Sequence, residues 1–216
     1  MLTDTATVVV EGTGRHRGLS LLPDGRIAMA DYLDHTVSVF DPVARTETII
    51  AGVPGLPGYV DGSTGTARFF EPIDLVVTSS RTVIVADRRN NRLRQVTLDG
   101  VVTTWAGTGT TASIDGPRLL AGFHSPQAMA IDRSGVIYVA DGDSHRIRRI
   151  GLTGQVVTIA GDGTEGFADS LDLLQARFAG MEGIDVAADG LYLFVADGSR
   201  GLLQVPFHRI RRVELP

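Results

Sequence analysis

Acidic residues at a repeated position are the first candidates for chemistry in this sequence. An aspartate follows an alanine at four places, with successive spacings of 56, 54 and 56 residues: Asp31, Asp87, Asp141 and Asp197. Carboxylates brought together from several repeats could hold calcium or magnesium. However, a residue that occurs once in every repeat serves the repeat, and an aspartate at a strand end readily accepts backbone N–H bonds from the next turn. We therefore predict that these four aspartates are structural.

Histidines and cysteines give little support for a metal site or a cofactor. The chain has five histidines and no cysteine. The position four residues after each repeated aspartate holds His35, Asn91, His145 and Gly201. Because this is again a repeat position, we predict a structural role for it rather than metal binding, and we predict neither a metal nor a cofactor.

Arginines form the second candidate group. They concentrate in two equivalent stretches of the chain: Arg88, Arg89, Arg92, Arg94, Arg146, Arg148 and Arg149. A solvated basic face that pairs with carboxylates and protects an exposed strand edge is the favoured interpretation, and an anion or RNA surface is the alternative. Aromatic residues make up only 6% of the chain and none alternates with these arginines, so nucleic acid is an unlikely partner.

Two further aspartates break a pattern of small residues. Asp74 and Asp185 occupy strand positions that hold glycine, alanine or serine in several other repeats. A buried carboxylate must be solvated or hydrogen-bonded. We therefore predict that Asp74 and Asp185 are candidate lining residues of a ligand channel. No Gly-x-Ser-x-Gly, His-Glu-x-x-His or phosphate-loop motif is present, and no catalytic residue is predicted.

The elements that must position these residues are short strands. Residues 123–161 contain four apolar or alternating runs separated by Gly, Asp and Ser turns, which is typical of an antiparallel meander. Ala-Gly pairs end the fourth run at spacings of 55 and 54 residues, and Phe69, Phe123 and Phe178 precede the first run at spacings of 54 and 55. A four-stranded unit covers its faces only by stacking on neighbours, and radial stacking gives an all-β propeller.

These repeats resemble the long form of the NHL repeat. The similarity is carried by Ala-Arg-Phe at residues 67–69 and 176–178, IYVAD at 137–141, SHRIRRI at 144–150 and VVTIAG at 156–161. The resemblance covers nearly the whole chain, is strong in the second and third copies and weaker in the first and fourth. It implies a β-propeller, usually with six blades, that presents a binding surface, and it implies no single chemistry.

Length and composition bound the other possibilities. A chain of 216 residues, 43% of them hydrophobic and 26 of them glycine, fits one turn-rich β domain. A net charge of −5 gives no general affinity for nucleic acid or anionic lipid, and no apolar run reaches the length of a transmembrane helix. Met1 is not followed by a basic and then apolar leader, and no compartment is indicated.

We interpret residues 1–216 as a single propeller domain. Residues 1–14 resemble the fourth strand of a preceding or final blade, and the repeats cover 15–66, 67–120, 121–175 and 176–216. Two arrangements remain open. If the run of residues 211–215 forms a fourth strand, as residues 7–10 do, the chain is an excerpt of a longer propeller; the alternative is that residues 209–215 are a tail. If they are a tail, Thr7–Val10 pairs with Leu202–Val205 and closes a four-bladed ring.

The expected function is recognition of a protein or peptide, without catalysis. The first alternative is an enzyme of the propeller lyase or lactonase kind with a divalent metal at the channel mouth. It would require His, Glu and Asp residues from several blades to converge, whereas the histidines here are scattered. The second alternative is RNA binding through the basic outer strands.

Overall fold

The computed structural model describes residues 14–198 and 209–215 and is built of strands and short 3-10 turns. Four antiparallel sheets follow one another along the chain, and we call them blades 1 to 4. Blade 1 contains β1 (His16–Leu21), β2 (Ile27–Asp31), β3 (Thr36–Asp41) and β4 (Thr46–Gly52). Blade 2 contains β5 (Pro72–Val77), β6 (Val83–Asp87), β7 (Arg92–Val96) and β8 (Val102–Ala106).

Blades 3 and 4 extend the same pattern with two variations. The two-residue strand β9 (Gly116–Pro117) is followed by the strands of blade 3, which are β10 (Pro126–Ile131), β11 (Ile137–Asp141), β12 (Arg146–Ile150) and β13 (Gln155–Ala160). Strand β9 pairs with the outer edge of β13. Blade 4 contains β14 (Met181–Val186), β15 (Tyr192–Asp197) and β16 (Arg209–Glu214). The prediction of an all-β propeller with four NHL-type blades is confirmed.

Local sequence explains why each blade folds as a meander. In blade 3, the β-branched and aromatic run of β11 is joined to β10 by a tight turn at residues 132–135. The Asp132 carboxylate accepts the Ser134 N–H at 2.8 Å, and Gly135 adopts a φ of 91°, where a side chain would be strained. This turn fixes the register in which Met129 faces Val139.

The core lies between successive blades rather than within any one of them. One apolar cluster joins blades 1 and 2, a second joins blades 2 and 3, and a third joins blades 3 and 4. Each cluster contains one of the repeated phenylalanines, Phe69, Phe123 or Phe178, and all three are buried. Burying each ring contributes about 1.5–3 kcal/mol, so a blade depends on its neighbours for stability.

The two ends of this row of blades leave apolar faces uncovered. Leu19 in β1 is 61% exposed, whereas Leu75 at the same position of blade 2 is 2% exposed. Ile210 in β16 is 74% exposed, whereas Leu93 at the same position of blade 2 is 0% exposed. The innermost strands pack in the order β1, β5, β10 and β14, and β1 makes no comparable contact with β14. The described residues therefore form an open row and not a closed ring.

Residues 209–215 of blade 4 adopt neither of the two predicted arrangements. Strand β16 pairs with β15, with Tyr192 opposite Glu214 and Asp197 opposite Arg209, so it is the third strand of its blade, neither a fourth strand nor a tail. The reason is the long connection of residues 198–208, which replaces the four-residue link of residues 142–145 in blade 3. The predicted pairing of Thr7–Val10 with Leu202–Val205 lies outside the described residues. Within the described part of the chain, no helix has the length and apolar character needed to span a membrane.

Candidate functional site

Three arginines, two of them completely buried and the third, Arg211, nearly so, join the blades to the loops that precede them. In blade 2 the Arg94 guanidinium is completely buried and bonds the Asp87 carboxylate at 2.8 Å and the Asp61 carboxylate. We call this arrangement an Asp–Arg–Asp cluster. Blade 3 repeats it with Asp141, Arg148 and Asp115, and blade 4 repeats it with Asp197, Arg211 and Asp169. In each cluster, one aspartate ends the second strand and the other lies in the preceding loop.

The same guanidinium groups also donate to backbone carbonyls of those loops. Arg94 bonds the carbonyls of Arg68 and Val60, at 3.1 and 3.0 Å, and Arg148 bonds those of Gly122 and Ile114, both at 2.8 Å. In blade 4 the Arg211 guanidinium reaches the carbonyls of Arg177 and Ala168. Three long connections, which we call the inter-blade loops, are thereby tied to the following blade: residues 53–71, 107–125 and 161–180.

Two of the predicted surface arginines are therefore placed differently from the expectation. Arg94 and Arg148 were predicted to lie on a basic face, and that prediction is wrong because both side chains are 0% exposed. Each points from the third strand toward its repeated aspartate, where two carboxylates compensate the burial of the charge. The sequence carried a signal of this, since Arg94, Arg148 and the Asp-Gly pairs 61–62 and 115–116 recur with the same period.

The other arginines predicted for the basic surface contact neighbouring residues of the chain. Arg88 and Arg89 bond the Glu71 carboxylate at 3.0 and 2.9 Å. Arg92 donates to the Thr108 carbonyl at 2.6 Å and lies 3.9 Å from the centre of the Tyr59 ring. Arg146 donates to the Asp162 carbonyl at 3.1 Å, and Arg149 is partly buried on β12. These contacts agree with the interpretation of a face that pairs with its own neighbours.

The repeated aspartates accept backbone N–H groups, although mostly not those of the turn that follows. Asp87 accepts the Phe70 N–H at 2.8 Å and Asp141 accepts the His124 N–H at 2.7 Å, both at the entry to the first strand of the same blade. Asp197 accepts the N–H groups of Ala179 and Gly180. Asp31 accepts backbone N–H groups of the following turn, at residues 33 and 34, whereas the turns after Asp87 and Asp141 contribute the side chains of Asn90 and Ser144. These bonds satisfy groups that burial would otherwise leave unpaired.

Burial dominates the electrostatics of these clusters. It raises the pKa of Asp87 to about 6, against the opposing effects of the Arg94 charge and the Phe70 N–H. Burial raises the pKa of Asp141 as well, against Ser144, Arg148 and the His124 N–H. A pKa near 6 leaves Asp87 ionised at neutral pH, so the buried arginine keeps its partner.

The two candidate channel aspartates are not brought together. Asp74 is largely buried and accepts the N–H of Leu75 at 2.8 Å and that of Met129, in the next blade, at 2.7 Å. Burial raises its pKa to about 6, with the two N–H bonds opposing. Asp185 is exposed and lines a cavity of about 420 Å³ between the first hairpin turns of blades 3 and 4. Asp74 therefore connects two blades, while Asp185 alone borders an open space.

The inter-blade loops display apolar side chains to solvent, a feature that the sequence reasoning missed. The exposed large apolar residues within them are Leu56, Tyr59, Val60, Phe70, Ile114, Leu119, Leu120, Leu171 and Leu174. The available signal was their presence in segments otherwise rich in Gly, Pro and Asp. Since each loop is held by a buried guanidinium, these side chains are presented on ordered backbone rather than on free loops.

Within the described residues 14–198 and 209–215, no group of three or more His, Asp or Glu side chains is placed to hold a metal ion. His35 and Asn91 adopt the left-handed conformation, with φ of 58° and 51°, and accept the N–H groups of Glu71 and Ser125 in the following blade. Those polar groups are thus used to connect blades.

Comparison with known proteins agrees with this architecture. The NHL repeat family matches residues 123–150, within blade 3. NHL repeat-containing protein 2 of Gallus gallus is 33% identical over 113 residues, which are 52% of this chain and 15% of that protein. Protein SUPPRESSOR OF QUENCHING 1, chloroplastic, of Arabidopsis thaliana is 32% identical over 82 residues, 38% of this chain and 8% of that protein. The chain thus spans a small part of these relatives.

Solved structures share the fold at low identity. A structural genomics protein of unknown function from Bacteroides thetaiotaomicron superposes with a TM-score of 0.71 at 21% identity, over 86% of this chain and 45% of its own. An auxiliary nutrient binding protein from Bacteroides ovatus superposes with a TM-score of 0.68 at 19% identity, over 91% of this chain and 47% of its own. A streptogramin B lyase superposes with a TM-score of 0.58 at 12% identity, over 93% of this chain and 55% of its own. Binding proteins and an enzyme thus share this fold, which by itself decides no function. The match to the NHL repeat over residues 123–150, the repeated blades and these sequence relatives together support an NHL-repeat β-propeller.

Proposed function

We propose that the chain is a recognition scaffold that binds a protein or peptide through its inter-blade loops. The observation that carries this proposal is the display of exposed apolar side chains on loops that buried arginines hold in place. Loops that are ordered before binding lose little conformational entropy when a partner docks. Contacts made by Leu119 and Leu120 would therefore contribute to affinity without a large entropic cost.

The composition of the loops also favours a protein partner. Tyr59 is 44% exposed, and its ring is held by Arg92 above it and by a 2.7 Å bond between its hydroxyl and that of Thr104. Tyrosine, arginine and leucine on a rigid surface combine aromatic anchors with apolar area, which is the combination that protein interfaces use.

The alternative of a metal-dependent lyase or lactonase receives less support. It requires carboxylates and histidines from several blades to meet at one point, whereas Asp141 is bound to a backbone N–H group and to Arg148, and His35 accepts a backbone N–H group. The RNA alternative depends on a basic face, and two central arginines of that face, Arg94 and Arg148, are buried.

Selection of peptides from a displayed library against the immobilised chain tests the proposal. We expect peptides with apolar anchors, and we expect the double substitution Leu119→Ser and Leu120→Ser to weaken their binding at least about tenfold. Val43→Ser, at another highly exposed apolar position in the β3–β4 turn, is the matched control. If the selected peptides bind the double variant as well as the unsubstituted chain, the inter-blade loop is not the site. Calorimetric titration with calcium and magnesium tests the enzyme alternative separately.

A further inference from the structure

A cavity lies between the first hairpin turns of blades 3 and 4, where β10 and β14 end. Its volume of about 420 Å³ falls within the range of about 300–1,000 Å³ in which proteins bind small molecules. Each wall is a hydrogen-bonded turn. The Gly135 N–H donates to the Asp132 carbonyl at 3.0 Å, and the Gly190 N–H donates to the Ala187 carbonyl at 2.8 Å. The walls are therefore ordered before a ligand arrives, which limits the entropic cost of binding.

Apolar side chains supply part of the lining. Ile131 and Val186 are the last residues of β10 and β14, and both are partly buried against the apolar clusters on either side of blade 3. Ala187 and Ala188 continue this lining in the turn of blade 4. An apolar group of a ligand would therefore be removed from water when it enters the cavity.

Arg133 contributes a positive charge to the rim of this cavity. Its neighbour Asp132 uses its carboxylate within the turn, where it accepts the Ser134 hydroxyl at 2.6 Å and the Val136 N–H at 3.0 Å. Arg133 is exposed, and within residues 14–198 and 209–215 it forms no salt bridge. Its guanidinium is therefore available to an anionic group of a ligand.

Two aspartates contribute negative charge to the same cavity. Asp185 and Asp189 are exposed, and one oxygen of each carboxylate accepts a backbone N–H, of Val186 at 2.8 Å and of Leu191 at 3.0 Å. Among the described residues, neither carboxylate is paired with a cationic side chain. Charges of both signs thus border one cavity without neutralising each other.

The equivalent turns of blades 1 and 2 use their polar groups internally. In blade 1, Asp24 bonds the Arg26 guanidinium of the same turn at 2.8 Å. In blade 2, the Thr78 hydroxyl lies 2.9 Å from that of Ser80 and 2.7 Å from that of Thr82. Available charges are therefore not a requirement of this hairpin turn.

Arg133 and Asp185 are not repeat residues. The position of Arg133 holds Ser79 in blade 2, and the position of Asp185 holds Val76 in blade 2 and Ala130 in blade 3. A residue that serves the blade recurs in each repeat, as Asp141 and its equivalents do. The charges around this cavity therefore indicate a role outside the architecture of the repeat.

We propose that this cavity binds a small zwitterion with an apolar side chain, either an apolar α-amino acid or a dipeptide of such residues. Asp185 and Asp189 bind its ammonium group, Arg133 binds its carboxylate, and its side chain lies against Ile131 and Val186. A guanidinium suits this role because it offers two parallel N–H donors to a carboxylate. The inter-blade loops enter the opposite ends of β10 and β14, so this site is independent of the proposed peptide binding.

Calorimetric titration of the whole chain with leucine and with leucyl-leucine tests the proposal and distinguishes the two sizes of ligand. We expect saturable binding of one molecule per chain for at least one of these probes. The N-acetylated form of the tighter probe lacks the ammonium group, and its C-terminal amide lacks the carboxylate. Each of these forms should bind at least about tenfold more weakly, because one charge-assisted contact is removed.

Variants of the chain assign each charge to its partner. Arg133→Met should weaken binding of the probe at least about tenfold and abolish its preference over the amide. Asp185→Asn with Asp189→Asn should weaken binding similarly and abolish the preference over the acetylated form. All three side chains are exposed, so both variants are expected to fold, and their unfolding midpoints check this.

Matched controls make the test specific. Arg81→Met changes an exposed arginine in the equivalent turn of blade 2, and Asp99→Asn changes an exposed aspartate in the β7–β8 turn. Both should leave the affinity unchanged, and so should Leu119→Ser with Leu120→Ser, which separates this site from the proposed function. Absence of saturable binding, or equal affinity for the probe and its two blocked forms, overturns the proposal. An Arg133→Met chain that still prefers the probe over its amide overturns it as well.

Discussion

Blades 1 and 3 place an aspartate at the same position but surround it differently. In blade 3, Asp141 is buried beside the Arg148 guanidinium, which also holds Asp115 of the preceding loop. In blade 1, Asp31 is equally buried, but Ser38 stands at the arginine position. The His16 imidazole lies beside it, with Nδ1 3.7 Å from the carboxylate.

Blade 1 lacks several elements of the Asp–Arg–Asp cluster. No Asp-Gly pair precedes blade 1, and Ile49 stands where blades 2 and 3 have Thr104 and Thr158. The sequence between the Ala-Gly pair and the first strand is long before blade 3, at residues 108–125, while only residues 13–15 separate the equivalent Gly12 from β1. The comparison indicates that the aspartate serves its own blade, whereas the arginine and the second aspartate hold a long inter-blade loop.

Removing the arginine should give the largest effect. Arg148→Met leaves Asp141 buried without its cation and releases the carbonyls of Gly122 and Ile114, so we expect a loss of about 3–5 kcal/mol in the free energy of unfolding. Denaturant unfolding measures it, and faster proteolysis of residues 107–125 would report release of the loop. Arg133→Met, at an exposed turn, is the control and should change stability by less than about 0.5 kcal/mol. A small effect of Arg148→Met would show that the cluster is not what holds the loop.

Removing the aspartate from each blade sharpens the comparison. Asp141→Ala strips the His124 N–H and Arg148 of a partner and should cost about 1–3 kcal/mol. Asp31→Ala should cost less, because no buried guanidinium loses its partner and only the N–H groups of residues 33 and 34 are affected. The two unfolding midpoints, measured in one buffer, decide this. An Asp141→Ala chain with an unchanged midpoint but abolished ligand binding would reassign that residue to function.

Sequence periodicity was sufficient to predict the fold, but it did not predict the contacts of the charged residues. Recurrence of Asp141 and its equivalents predicted the blades and a structural role for the aspartates, because strand period and turn chemistry are local properties. The burial of Arg148 was missed, since an arginine in an alternating strand is usually solvent-exposed and its partner Asp115 lies 33 residues away. The position of β16 was missed because residues 198–208 break the repeat spacing. Contacts made by a loop that crosses between blades join residues far apart in the sequence, so they leave no local sequence pattern.

The partly buried carboxylate of Asp74 should make stability depend on pH. Asp74 stands in blade 2 where blade 1 has Gly18, and burial raises its pKa to about 6. The folded chain therefore binds a proton between pH 4 and 6 that the unfolded chain has released, so this group favours folding at low pH and its contribution is lost as the pH rises through about 6. Compared with Asp74→Asn, the unsubstituted chain should lose about 2 kcal/mol of unfolding free energy between pH 4.5 and 7.5. Parallel pH profiles for the two proteins would contradict this assignment.

The smallest expected effect uses one buried serine from each of the two compared blades. Ser144 of blade 3 donates its hydroxyl to Asp141 at 2.6 Å, so Ser144→Ala should cost about 1 kcal/mol. The Ser38 hydroxyl of blade 1 is buried and has no hydrogen-bond partner within residues 14–198 and 209–215, so Ser38→Ala should leave stability unchanged or raise it by up to about 1 kcal/mol. Both substitutions remove one oxygen atom from a buried strand or turn, so a difference in sign cannot come from lost volume. Equal destabilisation by the two substitutions, measured by denaturant unfolding, would mean that Ser38 has a bonding partner and that blade 1 compensates its missing arginine through this hydroxyl.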